Sequence, residues 1–168
     1  METALNEQIG LEGYASFLYL SMAVWCDNQG LSGCHQFLLR QSDEEREHMM
    51  KIFEYIADVD GFPLTPGINV PPRHFESVQE VFKMVYAHEQ KVTKSINELI
   101  ALASSENDYS TETFLQWYVT EQREEEALMR TVLDRINLIG DGPQSLYFID
   151  KEMEAINKQA EAAEAAEG

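Results

Sequence analysis

The chain is 168 residues long, enough for one domain with a hydrophobic core, and 44% of it is apolar. Its formal net charge of -18 excludes attraction to nucleic-acid phosphates or to an anionic membrane surface and favours dissolved cations as partners. Cys26 and Cys34 form no CxxC unit, the opening METALNEQIGLEG has no signal- or transit-peptide character, and no apolar run is long enough to span a membrane; a soluble cytoplasmic protein with reduced thiols is expected.

Gly and Pro cluster at NQGLSG (28–33), DGFPLTPGINVPPR (60–73) and GDGP (140–143), and long helical patterns lie between them. The first helix is expected over 3–28 and the second over 32–58. A third spans 77–104, opened by a capping box of Ser77 and Glu80. The fourth covers 110–138, and a shorter fifth covers 143–156 with Pro143 at its first position. The Ala/Glu-rich remainder, 157–168, reads as a frayed tail outside a domain of residues 1–156. Nothing reads as a strand. The connection between the second and third helices is decisive, because about 15 residues at roughly 3.3 Å each reach some 50 Å, the length of a helix of about 28 residues. The other connections are short and favour antiparallel hairpins. The fold class expected is all-α, a four-helix bundle with one long crossover and a short fifth helix.

Each of the four long helices interrupts its own apolar stripe. The third places Glu89 within Val78, Phe82, Val85, Val92, Ile96, Leu99 and Ala103. In the same register the second carries Leu38, Gln41, Glu45, His48, Ile52 and Ile56, and the first Leu5, Ile9, Glu12, Tyr19 and Met22. The fourth carries Leu115, Tyr118, Gln122, Glu125, Met129, Val132 and Ile136.

An unpaired buried carboxylate costs several kcal/mol, so four of them exceed a typical domain stability of roughly 5 to 15 kcal/mol unless something positive compensates. No Lys or Arg lies on the seam, and Arg46 and Arg123 sit about 100° around their helices from it. A bound cation is the remaining compensation. Oxygen-rich coordination with an imidazole suits iron or manganese, and bundles that hold two irons project Glu and Glu-x-x-His units inward. One Glu-x-x-His spacing is a weak signal; compatible interruptions on four helices are a strong one. Tyr19 is open to three readings: a core aromatic with its hydroxyl satisfied, a hydrogen-bond donor to a ligand, or a redox group. Glu44, Glu121 and Glu124 flank the seam and form either an adjacent third cation site or a solvated acidic face. Trp25 and Trp117 read as packing, and His35, His74 and His88 as structural or exposed.

The segments LNEQIGLEGYASFLY, SDEEREHM, YAHEQ, INELI, NDY, FLQWYVTEQREEE and SLYFIDKEM together resemble the non-haem bacterial ferritins over essentially the whole chain except the tail. The resemblance implies a ferritin-like bundle with a ferroxidase centre, oxidising Fe(II) with O2 or H2O2, and homo-oligomeric assembly into a hollow 24-subunit octahedral shell that stores ferric mineral. Carried over by motif, it makes Glu12, Glu45 and His48 ligands of a first iron, with Glu45 bridging to a second iron held by Glu89 and Glu125, near Gln122. Tyr19 matches the family's tyrosine, and Glu44, Glu121 and Glu124, with Glu125, match a third iron site. Leu128 stands where the bacterioferritins resemble a second Glu-x-x-His, and Arg46 where they carry the haem-ligating methionine, so an asymmetric site without haem is expected. A rubrerythrin-like peroxidase is the alternative, but its rubredoxin-like module needs two CxxC pairs. A DNA-protecting mini-ferritin lacks the fifth helix. Asp108 and Glu112 suit an ion route at a three-fold axis, or simply the positive end of a helix dipole.

Overall fold

The computed structural model describes the backbone of residues 1–167 and the side chains of residues 1–160 and 162. Its elements are α1 (Glu2–Asn28), α2 (Ser32–Asp58), α3 (Val78–Glu106), α4 (Tyr109–Ile139) and α5 (Ser145–Glu167), with no strand among the described residues. The helix boundaries follow local chemistry. The α1–α2 turn needs a left-handed residue and has Gly30 there, at φ 76°, letting the Leu31 N–H bond back to the Cys26 carbonyl. At the α3–α4 turn Asn107 takes the left-handed position at φ 57°, and Asp108 caps α4 by accepting from the Thr111 N–H.

Ser77 caps α3 through its hydroxyl, which accepts from the Glu80 N–H at 3.1 Å, but the Glu80 carboxylate returns to the Glu76 N–H and not to that of Ser77. The expected box is therefore shifted by a residue on its return arm. The fifth helix also differs from expectation. It starts at Ser145, two residues after Pro143, and runs to Glu167, because Ala and Glu are strong helix formers and sustain a helix that has no apolar periodicity to announce it.

α1 lies along α2 and α3 along α4, and the two hairpins meet through α1 and α3. The crossover, residues 59–77, climbs α1 from end to end. Leu64 donates to Asn6, Pro66 and Ile68 approach Gly13, the Pro72 carbonyl accepts from Ser21, and Phe75 meets Trp25 edge-on. This path delivers α3 antiparallel to α1. α5 docks on the start of α2, where Gly33 is required: a β-carbon there would collide with the Asp150 carbonyl oxygen. Asp150 in turn accepts from the Cys34 N–H at 2.9 Å, filling one of the donors left over at the start of α2.

Every seam residue expected on the four long helices is buried. The apolar ones fall into two clusters. One holds Leu18, Met22, Phe37, Leu38, Phe82, Val85, Met129 and Val132; the other holds Leu5, Ile9, Ile52, Ile56, Val92, Ile96 and Leu115. Glu12, Glu45, His48, Glu89, Gln122 and Glu125 occupy the level between them. No helix among the described residues is long and apolar enough to cross a membrane.

Candidate metal centre

The side chains of this middle level are between 0 and 7% exposed, so solvent does not pay for their charge. Glu12 comes from α1, Glu45 and His48 from one turn of α2, Glu89 from α3, and Gln122 and Glu125 from one turn of α4. Four buried atoms here have no hydrogen-bond partner: Glu12 Oε2, Glu45 Oε2, His48 Nδ1 and Glu125 Oε2. Native interiors rarely leave such atoms unmatched unless an ion or water belongs there. Glu12, Glu45 and His48 each offer a ligand atom within 4.8 Å of the others, the only such trio among the described residues. The His48 Nδ1 lies 3.7 Å from Glu45 Oε2, too far for a hydrogen bond and close enough to share an ion.

Glu89 is held differently. Tyr19 donates its hydroxyl to Glu89 Oε1, and the Gln122 amide donates to Glu89 Oε2 at 3.1 Å and to the Glu89 carbonyl at 3.3 Å. Tyr19 is thus a donor to a candidate ligand, one of the readings its position in the sequence left open. The Tyr118 hydroxyl donates to the His48 carbonyl at 2.7 Å and pins that turn of α2.

All four carboxyls are pushed above the ordinary range. Burial is the main cause for each; the second is Glu45 for Glu12, and Glu89 for both Glu45 and Glu125, the last reaching about 8. Burial also raises Glu89, against the hydrogen bonds from Tyr19 and Gln122. Burial, then Glu89, raises Tyr19 well above the usual phenol. Glu12 and Glu45 face each other closely enough for the charge of Glu45 to raise the Glu12 carboxyl. A cation between them would supply the opposite charge that this repulsion calls for. The donor set of carboxylate oxygens and one imidazole fits iron on chemical grounds. No Lys or Arg takes its place: Arg46 and Arg123 are exposed.

The flanking acids are not gathered in the same way. Arg40 and the Gln41 amide both donate to Glu44, while Glu124 is exposed. Glu121 Oε1 stands 3.8 Å from His48 Nε2. Glu44 and Glu121 lie near enough to Glu125 to raise its carboxyl further. His88 is buried between Tyr14 and Tyr19, and burial lowers it to about 4, so it is a neutral packing residue. His35 contacts the Ala23 carbonyl at 2.9 Å and His74 is exposed. Trp117 packs edge-on against His48 and Tyr118 and carries Lys51 over its ring.

Gln8 escaped the sequence reading. It is 1% exposed and donates to Glu12 Oε1 at 2.8 Å. Its spacing of one helical turn before Glu12 was the available signal.

Comparison with known proteins points in one direction. A Ferritin-like domain matches residues 2–139. The chain is 42% identical to a bacterial non-heme ferritin of Escherichia coli O6:H1 over 92% of this chain and 94% of that one. It is 45% identical to a bacterial non-heme ferritin of Campylobacter jejuni over 88% of each. Among solved structures, an open pore ferritin from the archaeon Archaeoglobus fulgidus superposes with a TM-score of 0.88 at 41% identity, covering 91% of this chain and 94% of that one.

Proposed function

The chain belongs to the ferritin family, and on that premise we propose that it is an iron-storage protein whose buried middle level oxidises Fe(II) at a di-iron centre. The observation that carries this reading is the set of four unpartnered ligand atoms reaching the bundle interior from α1, α2 and α4. Glu12, Glu45 and His48 hold the first ferrous ion; Glu45 bridges to the second, which Glu89 and Glu125 hold with Gln122 alongside.

The charges explain why such a site turns over. Four carboxylates balance two ferrous ions. When each ion gives up an electron, the pair carries two further positive charges that the protein does not match, and water must supply hydroxide or oxide in compensation, releasing protons. The ferric product is therefore held as a mineral precursor more than as a permanent cofactor. The two electrons reduce O2 to peroxide, or peroxide to water. Glu44, Glu121 and Glu124, with Glu125, form a weaker third position, where an ion competes with Arg40 and the Gln41 amide for Glu44.

Self-assembly into a shell is part of the proposal. Phe17, Leu20 and Val24 form an outward stripe on α1 at 51, 41 and 51% exposure, and Val70 on the adjoining crossover is 88% exposed. Apolar stripes of this kind on a bundle this acidic fit burial against further copies of the chain.

The test is a stopped-flow titration of metal-free protein with anaerobic Fe(II) mixed into oxygenated buffer, with particle mass measured on the same sample. A rapid phase saturating at a small integer number of irons per subunit, in a shell-sized particle, is expected. Oxidation no faster than in buffer overturns the ferroxidase reading.

A further inference from the structure

We propose that Ser95 on α3 and Gln8 on α1 form a positioning relay that selects which oxygen of Glu12 meets the metal; the inference rests on the metal-site reading above. Gln8 sits on the buried face of α1 among Leu5, Ile9 and Glu12. Its amide nitrogen donates to Glu12 Oε1 at 2.8 Å, and its amide oxygen accepts from the Ser95 hydroxyl at 2.5 Å. Ser95 is only half-buried and stands one position from Ile96 on the seam of α3.

The direction of this chain is not arbitrary. An ionised Glu12 only accepts, so the NH2 end of Gln8 must face it; the amide oxygen then faces Ser95, which must donate. A carboxamide and a hydroxyl are each ambiguous alone, but a carboxylate at one end orders both. The consequence falls on Glu12. Glu12 is one of the trio with Glu45 and His48; its Oε1 is engaged by Gln8, and its Oε2 is without a hydrogen-bond partner and so is the oxygen left for a metal. The relay thus biases Glu12 toward one-oxygen coordination through Oε2. That leaves the first metal a position that a chelating carboxylate would occupy, and an oxidant needs such a position.

The relay also spans the two hairpins. Ser95 belongs to α3 and Glu12 to α1, so the hydrogen-bond chain ties the ligand on one hairpin to a side chain of the other. A satisfied core glutamine with no further role would make the same contacts but would leave the bound metal unaffected. Partners that orient a ligand typically change metal affinity by about 10- to 100-fold when removed.

Cobalt(II) is the probe, since it binds carboxylate and imidazole without turning over and its visible absorption reports coordination number. The full-length chain, wild type and the variants Gln8→Leu, Ser95→Ala and Ser95→Thr, is titrated with Co(II) by calorimetry and absorption, and thermal unfolding is recorded without metal. Gln8→Leu is expected to weaken the first Co(II) by about 10-fold or more and to shift its spectrum; Ser95→Ala should do the same more weakly, and Ser95→Thr should restore wild-type values. A folded Gln8→Leu with wild-type affinity and spectrum overturns the relay. Should Gln8→Leu not fold, Ser95→Ala decides by the same criterion, because its site is half-buried and alanine suits a helix. A wild-type chain that binds no Co(II) at all overturns the metal-site reading and the relay with it, an outcome distinct from variants that bind as wild type does.

Discussion

The two halves of the buried level are built from similar residues yet are held in opposite ways. On the α1–α2 side, Glu12, Glu45 and His48 converge with an unpartnered atom each. On the α3–α4 side both oxygens of Glu89 already receive hydrogen bonds, from Tyr19 and Gln122, and only Glu125 presents an unpartnered atom. A cation entering the first half gains ligands without losing hydrogen bonds. In the second half it competes with donors that already neutralise part of the charge. On the proposed reading the difference predicts an order: the α1–α2 half, with its ligand atoms already converged, should bind the more strongly, and the α3–α4 half should bind more weakly and release more readily.

The largest test of that ordering is removal of the preassembled half. Glu45→Ala or His48→Ala should lower the initial rate of Fe(II) oxidation by at least about 100-fold, the scale on which losing one preorganised charged group acts, while circular dichroism shows the helices intact. A Glu45→Ala protein oxidising iron at the normal initial rate would refute the ligand assignment. Next comes a pH test on the other half. Burial, then Glu89, raises Glu125 from the ordinary 4.5 to about 8. A raised carboxyl favours the protonated fold, so its contribution to metal-free stability is complete below about pH 4.5 and is lost as pH rises through about 8. Glu125→Gln has no charge to bury. Its metal-free form should match wild type near pH 4.5 and exceed it above pH 8, by on the order of 1 kcal/mol or more in urea unfolding. Saturating Zn(II) should abolish or reverse the difference; equal stability of the two metal-free proteins across that range would remove the buried-charge argument.

How these halves were visible in the sequence is instructive. Glu89 was legible because it interrupts Val85 and Val92 on a stripe with a period near 3.6, and the same reasoning found Glu12, Glu45, His48 and Glu125. Burial follows from that periodicity, and every one of those seam positions is buried. Orientation does not follow from it. That both oxygens of Glu89 would be engaged, by Tyr19 and Gln122, and that Gln8 would be held by Ser95, depends on residues brought together across helices, and Ser95 lies 87 residues from Gln8 in sequence. Arg40 was overlooked for the same reason: its link to Glu44 is local, but its Nε also donates to Asn157 on α5, a docking that no periodicity reveals. The extent of α5 was underestimated because its Ala/Glu repeat satisfies helix propensity without marking a buried face.

A smaller effect separates the two halves directly. Tyr19→Phe removes the hydroxyl that donates to Glu89 and leaves the aromatic volume in the core. Metal-free stability should fall by about 1 to 3 kcal/mol, as for a buried hydrogen bond to a charged group. In a Zn(II) titration the first binding constant should stay within about 2-fold of wild type while the second changes by more, since the hydroxyl removed donates to Glu89 on the α3–α4 half. A change confined to the first constant would reverse the assignment of the halves.

The smallest expected effect lies outside both halves. Glu124 is exposed and Glu44 is held by Arg40, so these acids contribute little to the first ferrous pair. Replacing Glu44, Glu121 and Glu124 together by Gln should leave the initial oxidation rate within about 2-fold and instead lower the iron consumed per subunit, or slow later turnovers, in repeated stopped-flow additions. The expected reason is positional: an ion in the proposed third position would have to draw Glu44 away from Arg40 and the Gln41 amide, a competition that the α1–α2 half does not impose. Arg40→Leu should therefore act in the opposite sense and raise occupancy of the third position. If the triple variant instead lost the first turnover, the flanking acids would be part of the preassembled half, and the ordering of sites would have to begin from the outer face of the bundle.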